Sequence, residues 1–252
     1  MSNFVQNNIF KLYKTNSELR DAARTLRTNL EFAGIDQEIQ CIAITSAEMS
    51  VGKSTIAISL GISCAEAGKR TLIIDDDFRN PQIASRLRIR SKFNIADLLS
   101  GRVMPEDACM PTAQEGLYVL DLGNRRINNP VEVMNSVKYK NMIAQLKNQF
   151  DFIIMDTPPI GMFIDAAVAA QTADGVVFVI NSGKTKAQDV REGLSQLEKA
   201  NVRVLGAVLN NVIRSNSSYY YYDRQGNRKR RSESGSGNGK ASEQNVPEEQ
   251  RG

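Results

Sequence analysis

Three apolar runs of this chain each end in residues that suit a phosphate group or a metal ion. The runs lead into Gly52–Thr55, into Asp75–Asp77 and into Asp156. In parallel α/β sheets, ligands bind beyond the carboxyl ends of the strands, so we expect the three segments to meet at one edge of a sheet. Together they predict a site for ATP with Mg2+.

The first segment has the features of a Walker A phosphate loop that runs into a helix. Unpaired N–H groups and the helix dipole at a helix amino terminus favour an anion. We expect Lys53 to neutralise the β- and γ-phosphates, Ser54 to face the metal ion and Thr55 to reach the α-phosphate. The predicted ATP ligands of this loop are Val51, Gly52, Lys53, Ser54 and Thr55.

The loop departs from the G-x-x-x-x-G-K-[ST] pattern at two places. Ala47 stands at the position of the first glycine, and Ser50 stands three residues before the lysine, where many such loops carry glycine. A left-handed backbone at Ser50 would cost roughly 1–2 kcal/mol. The alternative, a chance Gly-Lys-Ser at a helix start, is disfavoured by the two acidic segments.

The acidic segments supply the predicted catalytic carboxylates. Side chains alternate along a strand, so Asp75 and Asp77 are expected on one side, and Asp76 is interpreted as a turn former that faces away. One carboxylate can organise metal-bound water while another accepts the proton of an attacking hydroxyl. The predicted catalytic residues are Lys53, Asp75, Asp77 and Asp156. The predicted metal ligands are Ser54, Asp75 and Asp156.

Composition narrows the possible chemistry. The sequence has 252 residues, enough for one large α/β domain, and no histidine, which excludes Ser-His-Asp and Cys-His catalysis. Three scattered cysteines favour a reducing cytoplasm over a disulfide framework. No apolar run approaches the roughly 18 residues of a membrane helix. The net charge of +4 does not indicate a nucleic-acid partner, so none is expected.

Apolar periodicity divides the chain into three parts: a helical arm at 1–35, a P-loop domain at 36–214 and a flexible tail at 215–252. Strands are predicted at 40–45, 71–75, 117–121, 152–156, 175–181 and 203–209. Helices are predicted at 53–67, 81–87, 131–149, 164–172 and 185–200. This alternation predicts an α/β fold with a mostly parallel sheet and helices on both faces.

The two ends of the chain carry the remaining candidate residues. Asp21, Arg24 and Arg27 lie on the polar side of the arm helix, either as a solvated face or as an oligomer contact. The polar tail contains Tyr219, Tyr220, Tyr221 and Tyr222, followed by a basic run. An aromatic patch and a strand added to a sheet edge are the non-catalytic interpretations of the tyrosines.

On these motifs, the chain resembles the bacterial protein-tyrosine kinases of capsule and exopolysaccharide synthesis. The resemblance covers roughly residues 16–222 and includes Leu72–Pro81, Phe152–Pro159 and Ile95–Gly101. Asn129-Pro130, Asp165-Ala166 and Leu209-Asn210 also match segments of that family.

The resemblance implies an ATP- and Mg2+-dependent kinase that phosphorylates its own tail tyrosines, Tyr219–Tyr222, in trans. It implies that Asn210 contacts adenine and that Asp21, Arg24 and Arg27 contact a neighbouring subunit in a homo-oligomer such as a ring. It also implies a separate membrane-spanning activator that holds the cytoplasmic kinase at the inner face of the plasma membrane. The family usually has Pro-Gly in place of Met49-Ser50.

Two other functions remain open at this stage. A partition- or positioning-type P-loop ATPase would act as a switch, but such proteins carry a lysine where this chain has Glu48. A nucleotide-binding scaffold with weakened catalysis would account for Ala47 and Ser50.

Overall fold

We analysed a computed structural model that describes residues 9–90, 92–93, 95–121, 127 and 129–213. A seven-stranded sheet lies at its centre, in the order β3-β4-β2-β5-β1-β6-β7. The strands are β1 Cys41–Ser46, β2 Thr71–Asp75, β3 Met110–Pro111, β4 Leu117–Leu120, β5 Phe152–Asp156, β6 Gly175–Asn181 and β7 Val204–Asn210. All neighbouring pairs are parallel except β3 with β4, which confirms the predicted mostly parallel sheet.

Ten helices are found within the described residues. They are α1 Ile9–Thr15, α2 Ser17–Ala33, α3 Lys53–Glu66, α4 Ile83–Leu87, α5 Ile95–Leu99, α6 Pro105–Ala108, α7 Pro130–Asn135, α8 Val137–Lys147, α9 Asp165–Ala170 and α10 Ala187–Lys199. No helix of the described part of the chain combines the length and apolarity that a membrane crossing requires.

Strand alternation separates the core into two layers, one on each face of the sheet. Along β1, Cys41 and Ala43 belong to the layer that contains side chains of α5–α10. Ile42 and Ile44 belong to the layer that contains side chains of α1–α4. Both faces of the central strands are therefore buried, as expected for a parallel sheet covered on both sides.

Helix α8 begins where the sequence predicted the middle of one long helix. The predicted helix at 131–149 is two helices, because Ser136 adopts an extended backbone and its hydroxyl accepts the Tyr139 N–H as an amino-terminal cap. Pro130 begins α7, a position where proline loses no hydrogen bond. Helices α1, α5 and α6 and the two-residue strand β3 were not predicted.

The described part of the predicted arm packs against α3. Ile9, Tyr13, Ala23 and Leu30 share a buried layer with residues of α3. At the other end of the chain, β7 forms an edge of the sheet, and Ile213 beyond it is 92% exposed. The predicted tail, including its four tyrosines, lies outside the described residues, so its flexibility stays a prediction.

Candidate functional site

The sheet places the three predicted motifs side by side. Strand β5 pairs with both β1 and β2, and the register sets Asp156 opposite Asp75 on one side and opposite Ile44 on the other. The phosphate loop follows β1 directly. The predicted convergence at the carboxyl edge of the sheet is therefore present.

The phosphate loop adopts two left-handed backbone positions. Gly52 has a φ of 103°, which only glycine adopts easily, and Ser50 has a φ of 58°. The strain anticipated at Ser50 is thus found in the structure. At the other side of the loop, the Asn210 side chain donates a 2.8 Å hydrogen bond to the Val51 carbonyl oxygen. Asn210, predicted as an adenine contact, therefore contacts the loop itself.

Lys53 begins α3 and is only 8% exposed. Burial lowers the pKa of its ammonium group, and the neighbouring carboxylates Asp156 and Asp77 oppose this shift. An anion placed at the loop would add a further opposite charge beside this buried ammonium group and favour its charged form.

Asp156 and Asp75 are almost completely buried carboxyl groups. Burial raises the pKa of Asp156 to about 6, although the adjacent Ser54 hydroxyl and the Lys53 charge oppose the shift. Burial, followed by repulsion from Asp156, also raises the pKa of Asp75 well above its usual value. Within the described residues, Oδ1 of each carboxyl group has no hydrogen-bond partner.

These unpartnered oxygens fit a cation site next to the Ser54 hydroxyl. Oxygen ligands of this kind are those that Mg2+ prefers. Among the described residues, no group of three acidic or cysteine side chains could hold a metal ion alone. A metal ion here would therefore share its ligands with nucleotide phosphates and water, as Mg2+ commonly does.

The two outer aspartates of the second motif occupy different environments. Asp75 Oδ2 accepts 2.8 Å hydrogen bonds from the N–H groups of Gln82 and Ile83, which orient it at the start of α4. Asp77 instead lines a cavity of about 350 Å3 together with Lys53 and Ser54. Burial raises the pKa of Asp77, and hydrogen bonds from nearby backbone N–H groups limit the rise.

The interpretation of Asp76 as a turn former is wrong. Its side chain is fully buried, and Oδ1 accepts a 2.9 Å hydrogen bond from the Tyr139 hydroxyl on α8. Burial raises the pKa of Asp76 to about 7. The carboxyl group thus belongs to the core on one face of the sheet, away from the cavity that Lys53 and Asp77 line.

Arg79 lies in the wall of the same cavity, and the sequence did not predict it as a site residue. Arg79 Nε donates a 2.7 Å hydrogen bond to Asp165, which is 2% exposed at the start of α9. The guanidinium group also lies 4.3 Å from the ring centroid of Phe163. Asp165 thereby fixes Arg79 in one orientation beside Asp77. Arg79 and Asp165 both lie in segments that match the kinase family, and this match is the signal in the sequence that could have identified the pair.

The two arginines of the arm have partners in their own chain. Arg24 is 54% exposed and forms a 3.6 Å ion pair with Glu66. Arg27 is 22% exposed, and its Nη1 donates a 2.9 Å hydrogen bond to the Ser63 carbonyl oxygen of α3. Asp21 is exposed on the same helix. Both arm arginines therefore contact α3, but Arg27 is mostly enclosed by this contact, whereas Arg24 is largely exposed to solvent.

Comparisons with known proteins agree with this geometry. Residues 38–247 match the model of the family described as "ParA: NUBPL iron-transfer P-loop NTPase". Tyrosine-protein kinase CpsD of Streptococcus agalactiae is 36% identical over 228 residues, which cover 88% of this chain and 98% of that protein.

Two solved structures extend the comparison. The chimerical protein CapA2B2 superposes with a TM-score of 0.72 at 33% identity, over 76% of this chain and 84% of that chain. The septum site-determining protein MinD of Pyrococcus horikoshii, complexed with Mg-ADP, superposes with a TM-score of 0.57 at 26% identity, over 68% and 69% of the two chains. By its sequence and its fold, the chain belongs to the ParA-type P-loop NTPases and, within them, to the bacterial tyrosine-protein kinases.

Proposed function

We propose that this kinase transfers the γ-phosphate of ATP to the tail tyrosines, Tyr219–Tyr222, of another copy of the chain. The observation that carries the proposal is the arrangement of Lys53, Ser54 and Asp77 around one cavity, with the Asp156 carboxyl group close to all three. A phosphate-binding lysine, a metal-facing hydroxyl and a candidate base are the groups that phosphoryl transfer requires.

Lys53 and the N–H groups at the start of α3 would hold the β- and γ-phosphates. Ser54 and Asp156, with Asp75 beside them, would hold Mg2+, which supplies positive charge to the phosphates when it is bound. The carboxyl groups must be ionised for this task. Because burial raises the pKa of Asp156 to about 6, we expect metal affinity to fall as the pH decreases towards that value.

Asp77 is the residue best placed to accept the proton of the tyrosine hydroxyl. It lies on the cavity wall, and burial raises its pKa, which makes the carboxylate a stronger base. As the tyrosine oxygen bonds to the γ-phosphorus, the bond to the bridging oxygen breaks and ADP leaves, while the proton passes to Asp77. Asp75 is too enclosed by the amino terminus of α4 to take this role and is assigned to support the metal site.

The end of β7 is the point from which the tail leaves the described part of the chain. The strand ends beside the phosphate loop, and the chain continues towards the tyrosines from the exposed Ile213. If the tail is flexible as predicted, the six residues to Tyr219 span about 12–15 Å, so transfer in trans would need an adjacent subunit near the carboxyl edge of the sheet. A homo-oligomer, built in part by Asp21 and Arg24, would supply that neighbour.

We also propose a role in capsular or extracellular polysaccharide synthesis, at the inner face of the plasma membrane through a separate membrane-spanning activator. The sequence similarity to tyrosine-protein kinase CpsD and the structural similarity to the CapA2B2 chimera support this assignment. A pull-down with the cytoplasmic segments of candidate activators from the same genome, followed by a phosphotyrosine assay, would test it. Lack of any stimulation by those segments would count against the partner.

A mixing experiment tests transfer in trans. One chain carries Phe at positions 219–222 and keeps Lys53, while the other carries Lys53→Met and keeps its tyrosines. With ATP and Mg2+, phosphotyrosine is expected on the second chain. If that chain stays unlabelled while the wild-type protein labels well, transfer in trans is wrong. ATP hydrolysis without any phosphotyrosine in the wild-type protein would instead favour the ATPase switch.

A further inference from the structure

The phosphate loop holds a backbone conformation that its own residues disfavour. Ser50 has a φ of 58°, and the side chains of Met49 and Ser50 are exposed, whereas those of Ala47 and Val51 on either side are buried. Contacts elsewhere in the loop must therefore stabilise it if the anion site is to exist before a nucleotide binds.

Glu48 provides such a contact on the amino-terminal side of Ser50. Its Oε1 accepts a 2.6 Å hydrogen bond from the hydroxyl of Thr185, which lies in the loop between β6 and α10. Its carbonyl oxygen accepts a 2.7 Å hydrogen bond from the Ser46 hydroxyl. The side chain and the carbonyl oxygen of Glu48 thus both accept hydrogen bonds, two positions before Ser50, which has the left-handed backbone conformation.

Thr185 is itself held by the end of β6. Its hydroxyl oxygen accepts the N–H of Asn181 at 3.0 Å, and its own N–H donates to the Asn181 carbonyl oxygen at 3.0 Å. Because β6 pairs with β1 in register up to Ser46, the sheet connects this anchor to the strand that leads into the phosphate loop.

We infer that Glu48 and Thr185 are positioning residues for the nucleotide, which hold the phosphate loop in its anion-binding shape against the strain at Ser50. They do not need to touch the nucleotide. Their contribution is to remove the cost of ordering the loop when the nucleotide binds. The inference rests on the nucleotide site of the proposed function, but not on phosphotransfer.

The direct test measures the dissociation constant of the full-length protein for a fluorescent N-methylanthraniloyl derivative of ADP with Mg2+. Thr185→Val keeps the shape of the side chain but removes the hydroxyl, and we expect about tenfold weaker binding. Thr185→Ser keeps the hydroxyl and should bind like the wild type. Thr25→Val is the matched control, because the Thr25 hydroxyl also donates a hydrogen bond, to the Asp21 carbonyl oxygen, but lies on α2.

A second pair of variants separates loop positioning from a general loss of structure. Ser50→Gly makes the left-handed backbone easy to adopt, so the loop should depend less on its anchor. In that background, Thr185→Val should weaken binding by less than about threefold, a non-additive result. The unfolding temperature without nucleotide is measured for every variant. Equal losses in both backgrounds, or no loss in Thr185→Val, would overturn the inference.

Discussion

The Tyr139 hydroxyl donates a 2.9 Å hydrogen bond to the carboxyl group of Asp76, and both side chains are fully buried. The pair connects α8 to the strand end that carries the candidate catalytic carboxylates. Asp76, the central aspartate of the Asp75–Asp77 run, is thus part of the buried core, whereas Asp77 lines the cavity.

The burial of Asp76 predicts a pH-dependent cost to stability. Its pKa rises from 3.8 to about 7 in the folded protein, so between these values the folded state binds more protons than the unfolded state. The contribution of this group to the free energy of unfolding therefore decreases as the pH rises through that range. Asp76→Asn should be more stable than the wild type at pH 8, by about 1 kcal/mol or more.

Urea unfolding at several pH values between 5 and 8 checks this prediction. The advantage of Asp76→Asn should shrink towards pH 5, where the wild-type carboxyl group is protonated in the folded state. Phosphotyrosine formation should stay close to that of the wild type, while Asp77→Asn should lose it. A stability advantage that is independent of pH would contradict the assignment.

Lys53→Met should abolish phosphotyrosine formation and leave the fold intact. Burial of the ammonium group lowers its pKa, although Asp156 and Asp77 oppose the shift, so we expect an apolar side chain of similar length to be tolerated there. The loss should be at least about 100-fold, as for other groups that stabilise transition-state charge. Phosphotyrosine immunoblots and circular dichroism measure the two effects, and Lys69→Met serves as the control. Substantial labelling by the variant would refute the phosphate-loop assignment.

The two arm arginines should give different results. Arg27→Ala removes a donor to the Ser63 carbonyl oxygen on α3, and we expect a loss of about 1–3 kcal/mol in stability. Arg24→Ala removes only a partly exposed ion pair, so its stability should change little. If Arg24 contacts a neighbouring subunit, light scattering should show a smaller assembly for this variant. An unchanged mass would leave Arg24 on a solvated face.

The Arg79–Asp165 pair predicts a difference between two conservative changes. Arg79→Lys keeps the charge but cannot reproduce the geometry of a guanidinium group held by Asp165 over the Phe163 ring. We expect it to lower the rate of phosphotyrosine formation about tenfold or more, as misplaced groups beside a reaction site commonly do. Arg102→Lys, at an exposed ion pair with Asp97, should have no effect on the rate. Equal rates for both variants would place Arg79 outside the reaction.

Local signals predicted the motif-bearing strands well because each is a short apolar run that ends in a polar motif. The predicted bounds of β2, β5 and β6 agree with the structure. Side-chain alternation also placed Asp76 away from the cavity. It could not identify Tyr139 as its partner, because that contact spans 63 positions of sequence.

Other features depend on tertiary contacts that no local pattern encodes. Arg79 and Asp165 are 86 positions apart, and only the folded sheet brings them together. The single residue Ser136 divides a helix whose apolar spacing continues on both sides. Strand β3 has two residues and depends on pairing with β4, so it carries no periodicity of its own.

The contact between β7 and the phosphate loop limits how this sequence can change over evolution. A Cβ atom added at Gly52 would lie 2.2 Å from the Asn210 amide nitrogen, closer than any two such atoms approach. A larger residue at position 52 therefore requires the Asn210 side chain to move away from Val51 or to be smaller, and the φ of 103° would still penalise it. Because a change at either position removes the hydrogen bond to Val51 or forces a clash, the two positions are expected to persist together among descendants of this protein.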